Sequence, residues 1–175
     1  IASRSQFTLI SCGTALGTLL KNDIIPDFHA EMERSSFTAN VQQQWLTKQV
    51  CERVTLLALN TVSTDITHKF NKVLLFAKGN DIGTEALNRG TEQALTPLKY
   101  CNPTVTNFAV TAACALNMTR LVLLGCDYGF RSQQHHHAKQ SEYFNHKSRL
   151  ANIAPKNEIS VPDNHGGSVF SSRIL

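Results

Sequence analysis

A chain of 175 residues, 42% hydrophobic and only 17% charged, is long enough to bury a core and too apolar to stay disordered. Its net charge of +4 comes from 17 basic and 13 acidic residues without any block of five or six like charges, which suits an anionic small ligand and argues against a nucleic-acid interface. The length fits one domain at the usual roughly 100–200 residues each. No run reaches the ~20 apolar residues of a membrane span, and no signal peptide is read at the start. The five cysteines (Cys12, Cys51, Cys101, Cys114 and Cys126) are odd in number and form no C-x-x-C pair, so no disulfide framework is expected. Most sit beside apolar residues as small hydrophobes, in keeping with a reducing, cytoplasmic setting. The chain starts at Ile1 and not at Met, and a piece of a longer protein is expected.

Residues 6–11 read as a strand running into Ser11-Cys12-Gly13-Thr14. A short helix follows over 15–20, with Ala15, Leu16, Leu19 and Leu20 on one face. Lys21-Asn22-Asp23 closes it, and Pro26-Asp27 turns the chain into a second strand over 28–33. Alternation there puts Phe28, Ala30 and Met32 on one side and His29, Glu31 and Glu33 on the other. A strand–helix–strand unit of this kind demands a parallel sheet. Further on, 40–51 reads as an amphipathic helix around Val41, Trp45, Leu46 and Val50. A strand over 54–59, a short helix over 63–71 with Ser63 as N-cap, and a strand over 73–77 come next. The polar stretch 78–96, punctuated by Gly79, Gly83 and Gly90, reads as a long loop with a turn of helix. Pro103 leads into a helix over 107–116 with Thr106 as its N-cap. The Leu-rich run 122–125 is predicted to be the buried central strand. In the tail, Ile159-Ser160-Val161-Pro162 and 168–175 read as short strands on either side of a turn. The whole predicts an α/β fold with a mostly parallel sheet and helices on both faces.

Four stretches can carry chemistry. Ser11-Cys12-Gly13-Thr14 takes a strand through Ser and Gly into a helix and would present backbone N–H groups to a phosphate, although G-x-G-x-x-G and the Walker lysine are absent; an ordinary strand-to-helix turn is the alternative. Glu31 and Glu33 share one face at a strand's carboxyl end, suited to a ribose, a metal or an amine, or to base chemistry; a solvated edge is the alternative. His135-His136-His137 offers imidazoles near neutral pH, but adjacent residues cannot all point one way and zinc ligands stand further apart; a solvated loop is the alternative. Asp127, directly after the run ending at Gly125, is placed to orient a histidine, hold a ligand hydroxyl, or serve a turn. Thr106 could hold an anion at a helix start or act only as a cap. Ligands of α/β proteins lie outside the carboxyl ends of strands, so residues 107–143 are expected to carry the site.

Taken in order, several segments resemble the central domain of the bacterial motility accessory factors, flagellin glycosyltransferases whose domain is related to archaeal hydroxymethylpterin diphosphokinase. They are Ser11-Cys12-Gly13-Thr14-Ala15-Leu16, Ile25-Pro26-Asp27-Phe28-His29-Ala30-Glu31-Met32-Glu33, Pro103-Thr104-Val105-Thr106-Asn107-Phe108-Ala109, Leu123-Leu124-Gly125-Cys126-Asp127 and His136-His137-Ala138-Lys139-Gln140-Ser141-Glu142-Tyr143, with a weaker match at Asn164-His165-Gly166-Gly167-Ser168-Val169. The likeness lies in their order and spacing over nearly the whole chain. It implies a Rossmann-like, sialyltransferase-like domain that binds a CMP-activated nonulosonic sugar, such as pseudaminic or legionaminic acid. The sugar would pass to Ser or Thr hydroxyls of flagellin with no further cofactor. The family's upstream strand and Gly-rich loop are not found before Ile1, so part of the nucleotide site is expected outside this chain. Under the resemblance His137 or His136 takes the acceptor proton and Asp127 fixes the imidazole tautomer. Tyr143, Ser141 and the backbone at Gly13 hydrogen-bond the departing phosphate. Ser11, Thr14, Glu31, Glu33, Thr106, Asn107 and Gly125 complete the substrate-binding set. The scheme needs the serine–glycine bend and the imidazoles to face one cleft. Two other readings stay open: ATP-dependent diphosphate transfer to a pterin with magnesium on Glu31, Glu33 and Asp127, and a non-catalytic module that binds nucleotide or flagellin.

Overall fold

Four short strands set the frame of the first half of the chain: β1 (Ile10–Cys12), β2 (Phe28–Glu31), β3 (Thr55–Leu59) and β4 (Lys72–Phe76). They pair in sequence order and every pair is parallel. The structure, a computed structural model, describes residues 6–132, 136–145, 158–162 and 166–172. The chain divides into two compact units, 1–121 and 122–175.

In the first unit the connections must cross over, because parallel neighbours cannot be joined by a tight hairpin. The crossovers carry α1 (Ala15–Leu20), α2 (Ser36–Gln42), α3 (Lys48–Arg53) and α4 (Thr64–Thr67), and β4 is followed by α5 (Ile82–Arg89) and α6 (Val105–Ala115). This is the expected α/β, Rossmann-like arrangement. Ala30, Leu56, Leu57, Ala58 and Leu59 are wholly excluded from water, so β2 and β3 are buried on both faces. That is why β3 reads as a continuous apolar run and does not alternate. Phe108, Ala109 and Ala112 of α6 join the same core, with the Phe108 ring edge-on to Phe76. Gly17 lets α1 approach Trp45 closely: a Cβ there would lie 2.4 Å from the indole.

Three expected elements differ in detail. The predicted helix 40–51 is two helices, because the chain turns at 43–47 and Thr47 starts α3 by accepting the Val50 N–H at 3.3 Å. The predicted loop 78–96 contains α5, nucleated where Asp81 accepts the Thr84 N–H at 3.0 Å and closed at Gly90. Helix α6 starts earlier than predicted, since its N-cap is Thr104 and not Thr106, in a reciprocal capping box with Asn107. It ends where Asn117 turns left-handed (φ 61) and Met118 N–H reaches back to Ala113 O at 3.0 Å.

The fourth difference is larger. The predicted central strand 122–125 is irregular and lies open to solvent, with Val122 73% and Leu124 82% exposed. An apolar run becomes a strand only where a neighbouring edge supplies its ladder, and among the described residues none pairs with it.

The second unit holds an antiparallel sheet in the order β5 (Gly129–Phe130), β7 (Ser168–Ser172), β6 (Glu158–Pro162). The two tail strands follow the sequence reading, and β5 adds a third. Phe130 stacks on Phe170 at 5.8 Å, and Ser171 Oγ donates to Tyr128 O at 2.8 Å. None of the five cysteines is in a disulfide. Among the described residues no helix is long and apolar enough to cross a membrane.

Gly17→Ala should lower unfolding stability by about 1–3 kcal/mol, the usual cost of overpacking. The check is a lower urea midpoint at unchanged slope.

Candidate functional site

Strand β1 ends at Cys12 and the chain bends at Gly13, whose φ of +51 suits glycine alone without strain. The bend is tied to the sheet by its own N–H, which donates to Ala30 O at 3.0 Å. That N–H, expected to face a phosphate, is therefore engaged. Thr14 starts α1 without a side-chain cap bond. A Cβ on Gly13 would touch Val105 Cγ1 at 3.4 Å, so the first turn of α6 stands against this bend. There Thr104 Oγ1 lies 2.7 Å from Asn107 Oδ1 and donates to it. Asn107 is thus occupied as a cap partner. Thr106, one residue into the helix, is half-buried, and its hydroxyl makes no hydrogen bond among the described residues.

Within this unit lies a line of four buried polar side chains, Ser11, His29, Gln42 and Glu31. Ser11 Oγ is 2.9 Å from His29 Nδ1, and His29 Nε2 is 3.2 Å from Gln42 Oε1. Gln42 Nε2 donates to Glu31 Oε2 at 2.8 Å, and Glu31 Oε1 accepts the N–H groups of Met32 at 2.8 Å and Glu33 at 3.0 Å. Three donors aimed at Glu31 make it the accepting end and set the polarity of the line. Gln42 gives its N–H to Glu31 and turns its oxygen to His29, so the imidazole carries its hydrogen on Nε2. The bare Nδ1 then accepts the Ser11 hydroxyl. Register builds this arrangement, since Ser11 pairs with His29 across β1 and β2, and His29 and Glu31 alternate onto one face.

Burial pushes the His29 pKa down from 6.5 to about 4, against the opposing hydrogen bonds of Gln42 and Ser11. Burial likewise raises the Glu31 pKa, against the Glu33 and Met32 N–H groups and Gln42. His29 is neutral at pH 7. The Glu33 side chain is exposed and only its N–H joins the line, so the two glutamates occupy different surroundings. His29 and Gln42 were absent from the sequence-derived set. His29 did carry a signal, its place two residues before Glu31 on the same strand face; Gln42 carried none beyond a Gln-rich helix.

The exits of β3 and β4 are polar too. Asn60 accepts the Lys78 N–H on Oδ1 at 2.9 Å and donates from Nδ2 to Thr84 Oγ1 at 3.0 Å. Asp81 caps α5 and pairs with Arg34 from the segment after β2. The Thr84 N–H, then Arg34, hold the Asp81 carboxyl below its usual range against the effect of burial. Beside these exits opens a cavity of about 330 Å³ lined by residues 79–80 and 98–102.

In the second unit the Nδ1 atoms of His136 and His137 lie 2.6 Å apart, close enough to share one hydrogen. The His137 ring lies flat on Tyr143, with centroids 3.7 Å apart, and His136 meets Tyr143 edge-on. Partial burial, then the charge of His136, push the His137 pKa from 6.5 to about 4. His137 is therefore a neutral and weak base at pH 7, where the sequence led one to expect a pKa near neutrality. Ser141 Oγ is buried with no partner among the described residues. Gly125 and Asp127 are exposed, and Asp127 makes no hydrogen bond to either imidazole. His135, Asn164 and His165 lie outside the described residues.

A four-stranded parallel sheet with helices in its crossovers, and polar groups at the strand exits on one edge, makes the first unit a Rossmann-like α/β domain. The chain belongs to the 6-hydroxymethylpterin diphosphokinase MptE-like family, whose model matches residues 2–133. It is similar to the solved MAf glycosyltransferase from Magnetospirillum magneticum AMB-1, with 28% identity and a TM-score of 0.73 over 99% of this chain. It spans 24% of that protein's length. Comparison with curated protein sequences gave no match.

Two outcomes follow from the imidazoles. The unfolded chain takes up the His29 proton between pH 6.5 and about 4 while the folded chain does not. Its contribution is therefore complete above pH 6.5 and is lost as pH falls toward 4, by on the order of 3 kcal/mol. Glu31, shifted upward, acts in the opposite sense, its contribution being full below 4.5 and lost as pH rises. Urea unfolding at pH 7.0 and 4.5 should show a larger loss on acidification for the wild type than for His29→Gln. In a proton NMR titration, the His137 ring should change charge only near pH 4, and Tyr143→Ala should move the midpoint back toward 6.5.

Proposed function

We propose that this chain is the nucleotide-sugar-binding part of a glycosyltransferase that passes a nonulosonic sugar, pseudaminic or legionaminic acid, from CMP to Ser or Thr hydroxyls of flagellin. The observation that carries the reading is the 28% identity, along 99% of the chain, to a MAf glycosyltransferase. The polar strand exits are the kind of edge on which such a donor is held. In the reaction the bond from the sugar's anomeric carbon to the phosphate oxygen breaks, CMP departs, and the acceptor oxygen takes its place after losing a proton. In the first unit the phosphate belongs at the start of α6, where Thr106 offers its hydroxyl, with Thr14 at the start of α1. Ser11, Gly13 and Asn107 shape that bend, and Glu31 and Glu33 are the carboxylates nearest in sequence to the β2 exit. By resemblance alone, His137 or His136 is the proton acceptor, with Asp127, Tyr143, Ser141 and Gly125 in supporting roles.

The family description favours a second reading, diphosphate transfer from ATP to a pterin. That chemistry calls for magnesium on Glu31, Glu33 and Asp127. Glu31 already accepts three N–H donors, and Glu33 and Asp127 are exposed. Among the described residues no three His, Cys, Asp or Glu side chains converge as a metal site.

Thermal unfolding separates them. At a hundred times its dissociation constant, CMP should stabilise the chain by about 2.7 kcal/mol without added metal. ATP with magnesium, or a hydroxymethylpterin, should leave the midpoint where it was. Stabilisation by ATP and magnesium with none from CMP would reject the proposal.

A further inference from the structure

We infer that the cavity at residues 79–80 and 98–102 is a nucleobase site that takes the cytosine ring of a pyrimidine nucleotide. This placement rests on the donor reading above and adds to it the part of the chain that holds the base.

The site is a half-open depression whose walls are fixed by backbone. Its two walls are joined by backbone, with Gly79 N–H donating to Leu98 O at 3.1 Å and Leu98 N–H donating to Ala77 O at 2.8 Å. They approach so closely that a Cβ at Gly79 would lie 2.5 Å from Leu98 O. Cys101, buried within the lining, donates its thiol to Leu98 O at 3.5 Å. Each wall also carries a non-glycine residue in the left-handed region, Asn80 at φ 54 and Tyr100 at φ 60. A bulky residue keeps that conformation only where its surroundings impose it, and such positions gather at ligand sites.

The result is an aromatic ring held out in water: Tyr100 is 84% exposed. An apolar ring gains nothing from exposure, but a ring so held is a platform on which a base can stack. The side chains of Asn80, Asn102 and Lys99 make no hydrogen bond or ion pair among the described residues. Asn60 and Asn107, by contrast, are both engaged. Each free carboxamide supplies both donors and an acceptor, which matches the amino and carbonyl groups on the edge of cytosine. Lys99 supplies a cation for the phosphate. The volume of about 330 Å³ is at the small end of the roughly 300–1,000 Å³ of ligand pockets, and suits a nucleoside better than a whole sugar nucleotide. Asn102 is followed by Pro103 and then by Thr104, the cap of α6, so the chain leads directly from the cavity to the helix start proposed for the phosphate.

Calorimetric titration of the full chain with CMP, and with ribose 5-phosphate as a probe that lacks the base, tests this. Tyr100→Ala should weaken CMP binding about tenfold or more, as loss of one stacking contact does. Tyr100→Phe, which keeps the ring, should restore it, and Asn102→Ala should weaken CMP several-fold. Affinity for ribose 5-phosphate should stay the same in all three variants. Tyr100 is at the surface, so unliganded Tyr100→Ala should melt with the wild type. Equal CMP affinity in the wild type and Tyr100→Ala overturns the cavity assignment and leaves the donor reading intact. Parallel loss of ribose 5-phosphate binding overturns it as well, by showing a general disturbance. No CMP binding by the wild type overturns both.

Discussion

The hydrogen-bonded line from Ser11 through His29 and Gln42 to Glu31 is the constraint on which the first unit depends. It joins β1, β2 and the last residue of α2, and all four side chains are buried. Each member left without its partner would cost about 1–3 kcal/mol of desolvation, so the line holds as a whole or not at all. With Glu31 ionised and accepting, the imidazole gives its Nε2 hydrogen to Gln42 and takes the Ser11 hydroxyl on Nδ1. A neutral imidazole is the form that fits, with one ring nitrogen giving and the other taking. The register of β1 on β2 and the seating of α2 follow from the same contacts, since a slip of one residue would carry His29 and Glu31 to the other face.

Above that line the strand exits are furnished by different means. After β1 a glycine bend is held by the backbone; after β2 a carboxylate collects N–H groups from its own two successors. After β3 an asparagine bridges to the chain beyond β4 and to α5. What unites them is the direction of the sheet. With every strand parallel, all exits fall on one edge, and the loops that leave them share it. The second unit uses an antiparallel ladder and an aromatic cluster in which Phe130 meets Phe170 and His137 meets Tyr143.

The unit β1–α1–β2 was legible because its signals were local: β-rich runs, a polar turn, then Pro26-Asp27. The bend at Ser11–Thr14 and the carboxylate at Glu31 were legible for the same reason. Helix α5 was not, since Gly79, Gly83 and Gly90 masked a start signal that rested on the side chain of Asp81. Over 40–51 the apolar spacing continues through Trp45 as in one helix, while the break between α2 and α3 depends on local backbone bonds. The run 122–125 misled because its composition reports a liking for strand, and pairing is a property of neighbours that no window of sequence contains. Asn107, which the sequence offers as a ligand contact, also forms half of the capping box of α6, a pairing that shows only in the folded backbone. Gln42 escaped notice because only the fold brings it between a histidine and a glutamate.

Two helices begin near the exits, and they are capped unlike one another. Asp81, itself paired with Arg34, places a carboxylate at the head of α5, with Glu85 in the first turn, while α6 is headed by the uncharged pair Thr104 and Asn107. The partial positive charge of the first helix is therefore already cancelled and that of the second is not. An incoming anion meets a closed carboxylate–guanidinium pair at one door and uncharged groups at the other, so this edge of the sheet offers two unlike entrances before any ligand arrives.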